Sequence, residues 1–185
     1  MRKVRNLITL MILVLVGINV GCAQNMPPKN EDGRVEYSAV VYMDSSVTKD
    51  AIYSAARAWF VDNFKDAKEV LQVQDKEAGE LVGKGYINIP SNRFGYIAIG
   101  VGIVWFNVTL YAKEGRYKYI ISEFVHEGGL PQIRDCGSLD DEEPDRCSRS
   151  IFLEVKEKTD AAMLLMISDL RNSISQNVKK AQDDW

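Results

Sequence analysis

The first hydrophobic run in the chain, Leu7 to Ile18, has neither helical nor strand alternation, and it follows three basic residues, Arg2, Lys3 and Arg5. A run of about 12 residues is too short to span a bilayer as a helix, and it is apolar all round rather than striped. Residues 1–22 therefore read as a secretory signal, not as a buried helix. Periodicity begins later. "VEYSAVVYMD" (Val35 to Asp44) is rich in β-branched and aromatic residues and predicts a strand. Ser45, Ser46 and Thr48 then offer capping oxygens, and Asp50 suits the positive end of a helix. Ile52, Ala56, Trp59, Phe60 and Phe64 recur at three- and four-residue steps, which predicts a helix over about 48–64 with Trp59 and Phe64 in the core.

"VLQVQD" and "LVGKGYINI" predict a hairpin closed by the five residues "KEAGE", with Gly79 supplying a positive φ. The glycine–lysine cluster invites comparison with a phosphate loop. Such a loop needs four residues before its Gly-Lys, a hydroxyl after it and a helix to follow. Here three residues separate Gly79 from Gly83, Gly85 stands where the hydroxyl should be, and a strand pattern follows. It is not a nucleotide site.

A second hairpin joins "VWFNVTLYAK" to "RYKYIISEFV" through Glu114-Gly115, a two-residue connection expected to be of the primed kind. In that register Lys113 faces Arg116, Leu110 faces Tyr119, Val108 faces Ile121, and Asn107 faces Ser122. Phe106, Val108, Leu110, Tyr119 and Ile121 then share a buried face, leaving Asn107, Thr109, Tyr111, Lys118 and Ser122 on the other. Further along, Thr159 can cap a helix whose stripe is Met163, Ile167, Leu170, Ile174, Val178 and Ala181, with Asp169 and Arg171 on its outer side.

The element order is β-α-β-β-β-β-α. Two striped helices need one sheet face to bury against, so the fold class is α+β, in two layers, with both helices on one face of an antiparallel sheet. A chain of 185 residues, 46% hydrophobic and 26% charged, supports one domain, placed at residues 35–182. Residues 23–34, including "NMPPKNEDGR", read as a flexible tether.

"NVGCAQ" allows cleavage before Cys22, whose thiol would then carry lipid, or before Gln24. The lipoprotein reading is favoured because a polar tether follows, although Asn19 departs from the usual aliphatic residue. A lipid anchor would hold the chain at a membrane surface without spanning it. Export also gives Cys136 and Cys147 an oxidising compartment, and they are expected to form a disulfide stapling the loop "GSLDDEEPDR". Loss of Arg2, Lys3 and Arg5 with the leader lowers the basic count from 23 to 20 against 26 acidic residues, a net charge of −6. That balance repels phosphate, so nucleic acid is not the expected partner.

The segments "RAWFVDNF", "VLQVQDKEAGELVGKGYI" and "LYAKEGRYKYIISEF" resemble a family of secreted bacterial proteins of unknown function with a TBP-like fold, named for the TATA-box-binding protein. "QDKEAGELVGKG" is the most specific of these elements, and the resemblance extends over roughly 35–182. It implies a β-α-β4-α fold and supplies no activity and no catalytic residues. The insert "PQIRDCGSLDDEEPDRC" is unusual for the family.

Candidate chemistry is sparse. Asp135, Asp140, Asp141, Glu142, Glu143 and Asp145 crowd one loop without the alternating spacing and central glycine of a calcium loop, so no metal is expected. His126, the single histidine, has no local nucleophile beside it. No cofactor is implied. The expectation is a non-enzymatic, exported or lipid-anchored module in the periplasm or at the outer membrane. It would bind a protein or glycan through the face of Asn107, Thr109, Tyr111, Lys118 and Ser122, or through the acidic loop. The alternative is an envelope hydrolase whose carboxylates converge only in the fold.

Overall fold

The computed structural model describes residues 26–64, 71–91, 99–129 and 134–183. The leader and Cys22 lie outside them. Strand β1 (Tyr37–Tyr42) leads to helix α1 (Lys49–Asn63). Strands β2 (Leu71–Asp75), β3 (Glu80–Ser91), β4 (Ile99–Lys113) and β5 (Arg116–Gly128) follow. A short β6 (Gly137–Ser138) precedes the long helix α2 (Arg149–Asp183). The sheet is antiparallel with order β1-β5-β4-β3-β2, and β6 pairs beside the end of β5.

Helix α1 carries the chain from one edge strand, β1, to the other, β2. Its 15 residues make a rod of about 22 Å, close to the roughly 19 Å across five strands. Thr48 caps it, accepting the Ala51 N–H at 3.2 Å, and Asp50 lies in its first turn. The predicted stripe is buried throughout: Ile52, Ala56, Trp59, Phe60 and Phe64. Their rings continue into the sheet, with Phe64 and Phe106 centroids 6.4 Å apart and Phe106 and Phe124 5.9 Å apart.

The β4–β5 register is the predicted one at every pair named above. Its turn differs. Gly115 has φ of 65°, whereas Glu123 is the only non-glycine residue described with positive φ, so Glu114 keeps a negative one. Positive φ at the second turn position alone is the type II sign pattern, not a primed turn. Tertiary bonds hold it: the Gly115 carbonyl accepts the Met43 N–H, and the Gly115 N–H donates to Val47. The β2–β3 turn is one residue shorter than expected, because Glu80 pairs with Asp75. Gly79 does take positive φ there, at 74°.

Gly85 is explained by packing. A Cβ on it would lie 2.3 Å from Phe64 Cε1 and 3.0 Å from Phe106 Cζ, so its missing side chain lets α1 seat an aromatic ring on the sheet.

Helix α2 begins ten residues before Thr159. Ser148 Oγ faces the Ile151 N–H at 3.4 Å, and Phe152 and Val155 extend the buried stripe of Met163, Leu170, Ile174 and Val178. Thr159 sits within that stripe, fully buried, and its hydroxyl is not a cap. Ala181 is exposed instead of buried, and Asp169 reaches α1, accepting the Trp59 Nε1–H at 2.7 Å.

Part of the stretch read as a tether is tied to the domain. The Glu36 N–H donates to the Pro28 carbonyl, Lys29 bridges Val35, and Lys29 Nζ reaches the Asp140 carbonyl and the Glu142 carboxylate.

Candidate functional site

Among the described residues, strand alternation and a single helical layer leave one sheet face without cover. Asn107, Thr109, Tyr111, Lys118 and Ser122 all stand on it, as the hairpin register requires. Pairing across the whole sheet adds residues that no local pattern united. Val40 aligns with Lys118 and thereby with Tyr111; Tyr42 aligns with Arg116 and thereby with Lys113. From β3, Lys84 lies beside Asn107 and Tyr86 beside Trp105. Six of the nine exposed large apolar side chains among the described residues are on this face: Val40, Tyr42, Val73, Tyr86, Tyr111 and Val125. Scattered surface apolar groups are ordinary, whereas here they are concentrated on one face.

The face has two ends. At one, the Tyr86 and Trp105 centroids are 5.1 Å apart, Lys84 Nζ stands 5.3 Å over Trp105, and Trp105 Nε1 donates to Glu127 at 2.9 Å. Beside it β5 carries a bulge, with two residues, Glu123 and Phe124, opposite Phe106. Glu123 is held at φ 60°, and its carboxylate accepts Asn107 Nδ2–H at 2.6 Å. Asn107 is thus engaged within the sheet.

At the other end lies a groove of about 420 Å³ lined by Val40, Tyr42, Ala78, Tyr111, Lys113, Arg116, Tyr117 and Lys118. Among the described residues its lining has three cations and no carboxylate. Burial, then a hydrogen bond to Glu80, pushes the Tyr111 phenol above its ordinary pKa. Tyr117, beneath, is pushed up to about 12 by burial.

The other candidates resolve into structure. His126 is buried. Its Nδ1 accepts the Cys136 N–H at 3.1 Å, so the neutral ring carries its proton on Nε2, 3.1 Å from the Val101 carbonyl. Burial holds its pKa below the usual value. The histidine ties β4, β5 and the stapled loop together. Cys136 and Cys147 are disulfide-bonded, as expected.

The acidic loop's groups diverge. Asp135 accepts the Gly128 N–H, Asp140 accepts the Val35 N–H, Glu142 pairs with Lys29, and Glu143 pairs with Arg149. Among the described residues no three His, Cys, Asp or Glu side chains are gathered to hold an ion. Two further clefts hold one carboxylate each, Asp44 in one and Asp135 in the other.

Tyr42, Arg116, Tyr86 and Trp105 were not among the sequence candidates. Trp105 had a signal: it shares the alternation of Asn107. Tyr42 had none, because the β1–β5 pairing is long-range.

Comparison with known proteins agrees with this architecture. A TBP-like protein from Parabacteroides distasonis ATCC 8503 superposes with a TM-score of 0.62 at 16% identity, over 82% of this chain and 97% of that one. A DUF4468 family protein from Bacteroides ovatus ATCC 8483 superposes with a TM-score of 0.61 at 16% identity, over 84% of this chain and 91% of that one. At such identity the likeness shows the fold. No curated protein matches the sequence. The sequence match to a family runs over residues 37–127, from β1 to the end of β5, and stops before the stapled loop and α2. Residues 37–127 of this chain match DUF4468, a domain of unknown function with TBP-like fold.

Proposed function

We propose that the protein is a non-enzymatic binding module of the cell envelope, exported by its leader and held there by lipid on Cys22, which engages a glycan or protein through the open sheet face. The observation that supports this reading is the gathering of exposed Tyr42, Tyr86, Tyr111, Val40 and Val125 with Trp105 on one uncovered face. Large amphipathic rings bury much area at little entropic cost and have polar edges for hydrogen bonds. A rigid sheet presents them without reorganisation. Among the described residues no helix is long and apolar enough to cross a membrane.

The test is capture of envelope polysaccharide and protein fractions by the purified full chain. Tyr42→Ala, Tyr86→Ala and Tyr111→Ala should each reduce capture, and Leu165→Ser on the exposed side of α2 should not. Capture indifferent to all three tyrosines removes the proposal. Fractionation of cells expressing the chain, beside Cys22→Ala, tests the anchor.

A further inference from the structure

The groove end of the open face is built in an electrostatically costly way. Lys113 and Arg116 are directly opposed across β4 and β5, and Lys118 lies two residues on, on the same face. Like charges placed directly opposite on a sheet destabilise it. Three nearby acids each serve another partner. Glu114, in the turn between the two opposed cations, turns to helix α1 and accepts the Lys49 N–H at 3.0 Å. Glu80 takes the Tyr111 hydroxyl. Glu36, whose charge reaches Lys118, is hydrogen-bonded by Ser38 and Asn30, which hold its carboxyl below the ordinary range. The ion pairs among the described residues leave Lys113, Arg116 and Lys118 out. A chain with more acidic than basic residues thus gathers, in one groove, three cations that no close ion pair among the described residues includes.

Two phenol rings complete it. Tyr42 and Lys113 flank Arg116 in one cross-strand row, and Val40 and Tyr111 flank Lys118 in the next. Rows on one face are about 7 Å apart and neighbouring strands about 4.8 Å. The cavity volume falls within the roughly 300–1,000 Å³ of small-molecule clefts. The turn that carries the cations is pinned to the β1–α1 connection by Met43 and Val47, so the site is fixed before a ligand arrives.

We infer that this groove binds an acidic saccharide through the carboxylate of a uronic-acid residue, taken by Arg116 and Lys118, with the sugar ring against Tyr42 or Tyr111. A pyranose has an apolar face that suits an aromatic ring. Its C6 carboxylate projects from the ring edge, so a ring seated on tyrosine turns that group toward the cationic row. The planar guanidinium matches a carboxylate with two parallel hydrogen bonds. This inference rests on the open sheet face being the working surface and adds the ligand class.

The experiment is calorimetric and NMR titration of the purified full chain with trigalacturonate, its fully methyl-esterified form and galactose 6-phosphate. Trigalacturonate is expected to bind saturably and to shift the Tyr42 and Tyr111 ring signals. Its affinity should fall about tenfold or more in Arg116→Gln, as loss of a charge-assisted contact implies. Raising salt from about 50 to 300 mM should weaken it further. The ester should not bind, and Lys180→Gln, a charge change on α2, should leave binding unchanged. Equal binding of the ester, binding undiminished in Arg116→Gln, binding of the phosphosugar alone, or no binding at all would each overturn the inference. If sheet-face variants still abolish capture of an envelope fraction while trigalacturonate does not bind, the open-face reading stands and the uronate assignment falls alone.

Discussion

Glu114 lies between Lys113 and Arg116 in sequence, yet its carboxylate accepts the Lys49 N–H at the start of α1. The acid best placed to neutralise the hairpin end serves a helix N-terminus instead, where a negative charge is worth about 0.3–1 kcal/mol. Arg116→Glu should therefore raise stability, by a few tenths to about 1 kcal/mol, as a like pair becomes an opposite pair. Urea unfolding of the two proteins measures it. A lower midpoint in the variant would show that the cations are not in conflict.

Gly85→Ala should destabilise the domain by about 1–3 kcal/mol, the usual cost of overpacking, because its methyl would meet Phe64 at 2.3 Å. Phe64→Leu on its own also costs stability through a cavity. In the double variant the two losses should add to less than their sum. Strict additivity would mean that the ring and the glycine do not meet.

His126 predicts a pH dependence whose sign follows from burial. Its folded pKa is lowered, so the fold holds the neutral ring, and the unfolded chain binds the extra proton. The contribution is complete above the unfolded value of about 6.5 and is lost as pH falls below it, by up to about 1.4 kcal/mol per unit. With a single histidine in the chain, denaturant midpoints between pH 7.5 and 5.5 report this group. A flat profile across that range would contradict its burial as the neutral form.

Removing the disulfide, as Cys136→Ala with Cys147→Ala, should cost about 3 kcal/mol in the chain-entropy account of so short a ring. The loss should exceed that of Cys147→Ala under reducing conditions, because Cys136 is fully buried and Cys147 is not. Equal unfolding free energies with and without the bond would mean that the staple constrains little.

Tyr37→Phe removes the donor to Asp160, a bond of 2.7 Å between two buried groups joining β1 to α2. Leaving a buried carboxylate without it should cost about 1.5–3 kcal/mol. Thermal unfolding measures this, and a change within error would show that Asp160 finds another donor.

Much of the architecture is local and so could be read along the chain. The stripe from Ile52 to Phe64, the alternation from Phe106 to Tyr111, and a hairpin closed by two residues each follow from periods of 3.6 or 2 within one segment. With the later stripe from Met163 they named β1 to β5, both helices, the β4–β5 register and the sidedness of Asn107, Thr109, Tyr111, Lys118 and Ser122, but not the two-residue β6. The start of α2 was missed because Thr159, a good cap by type, lies inside a stripe that Phe152 and Val155 carry further back.

Other features depend on segments far apart in sequence. Tyr42 meets Arg116 only because β1 adds to the outer side of β5, and a strand's period does not say which neighbour it will choose. The turn at Glu114 departs from the hairpin preference because Met43 and Val47 bond to it from another part of the chain. Gly85 is glycine for the sake of Phe64, and Glu114 is diverted by Lys49. Local sequence sets which face of each element is apolar, since that depends on a few consecutive side chains. The grouping of the three cations with two tyrosines depends on strand order and on where each neighbouring acid finds its partner, and those are properties of the assembled sheet.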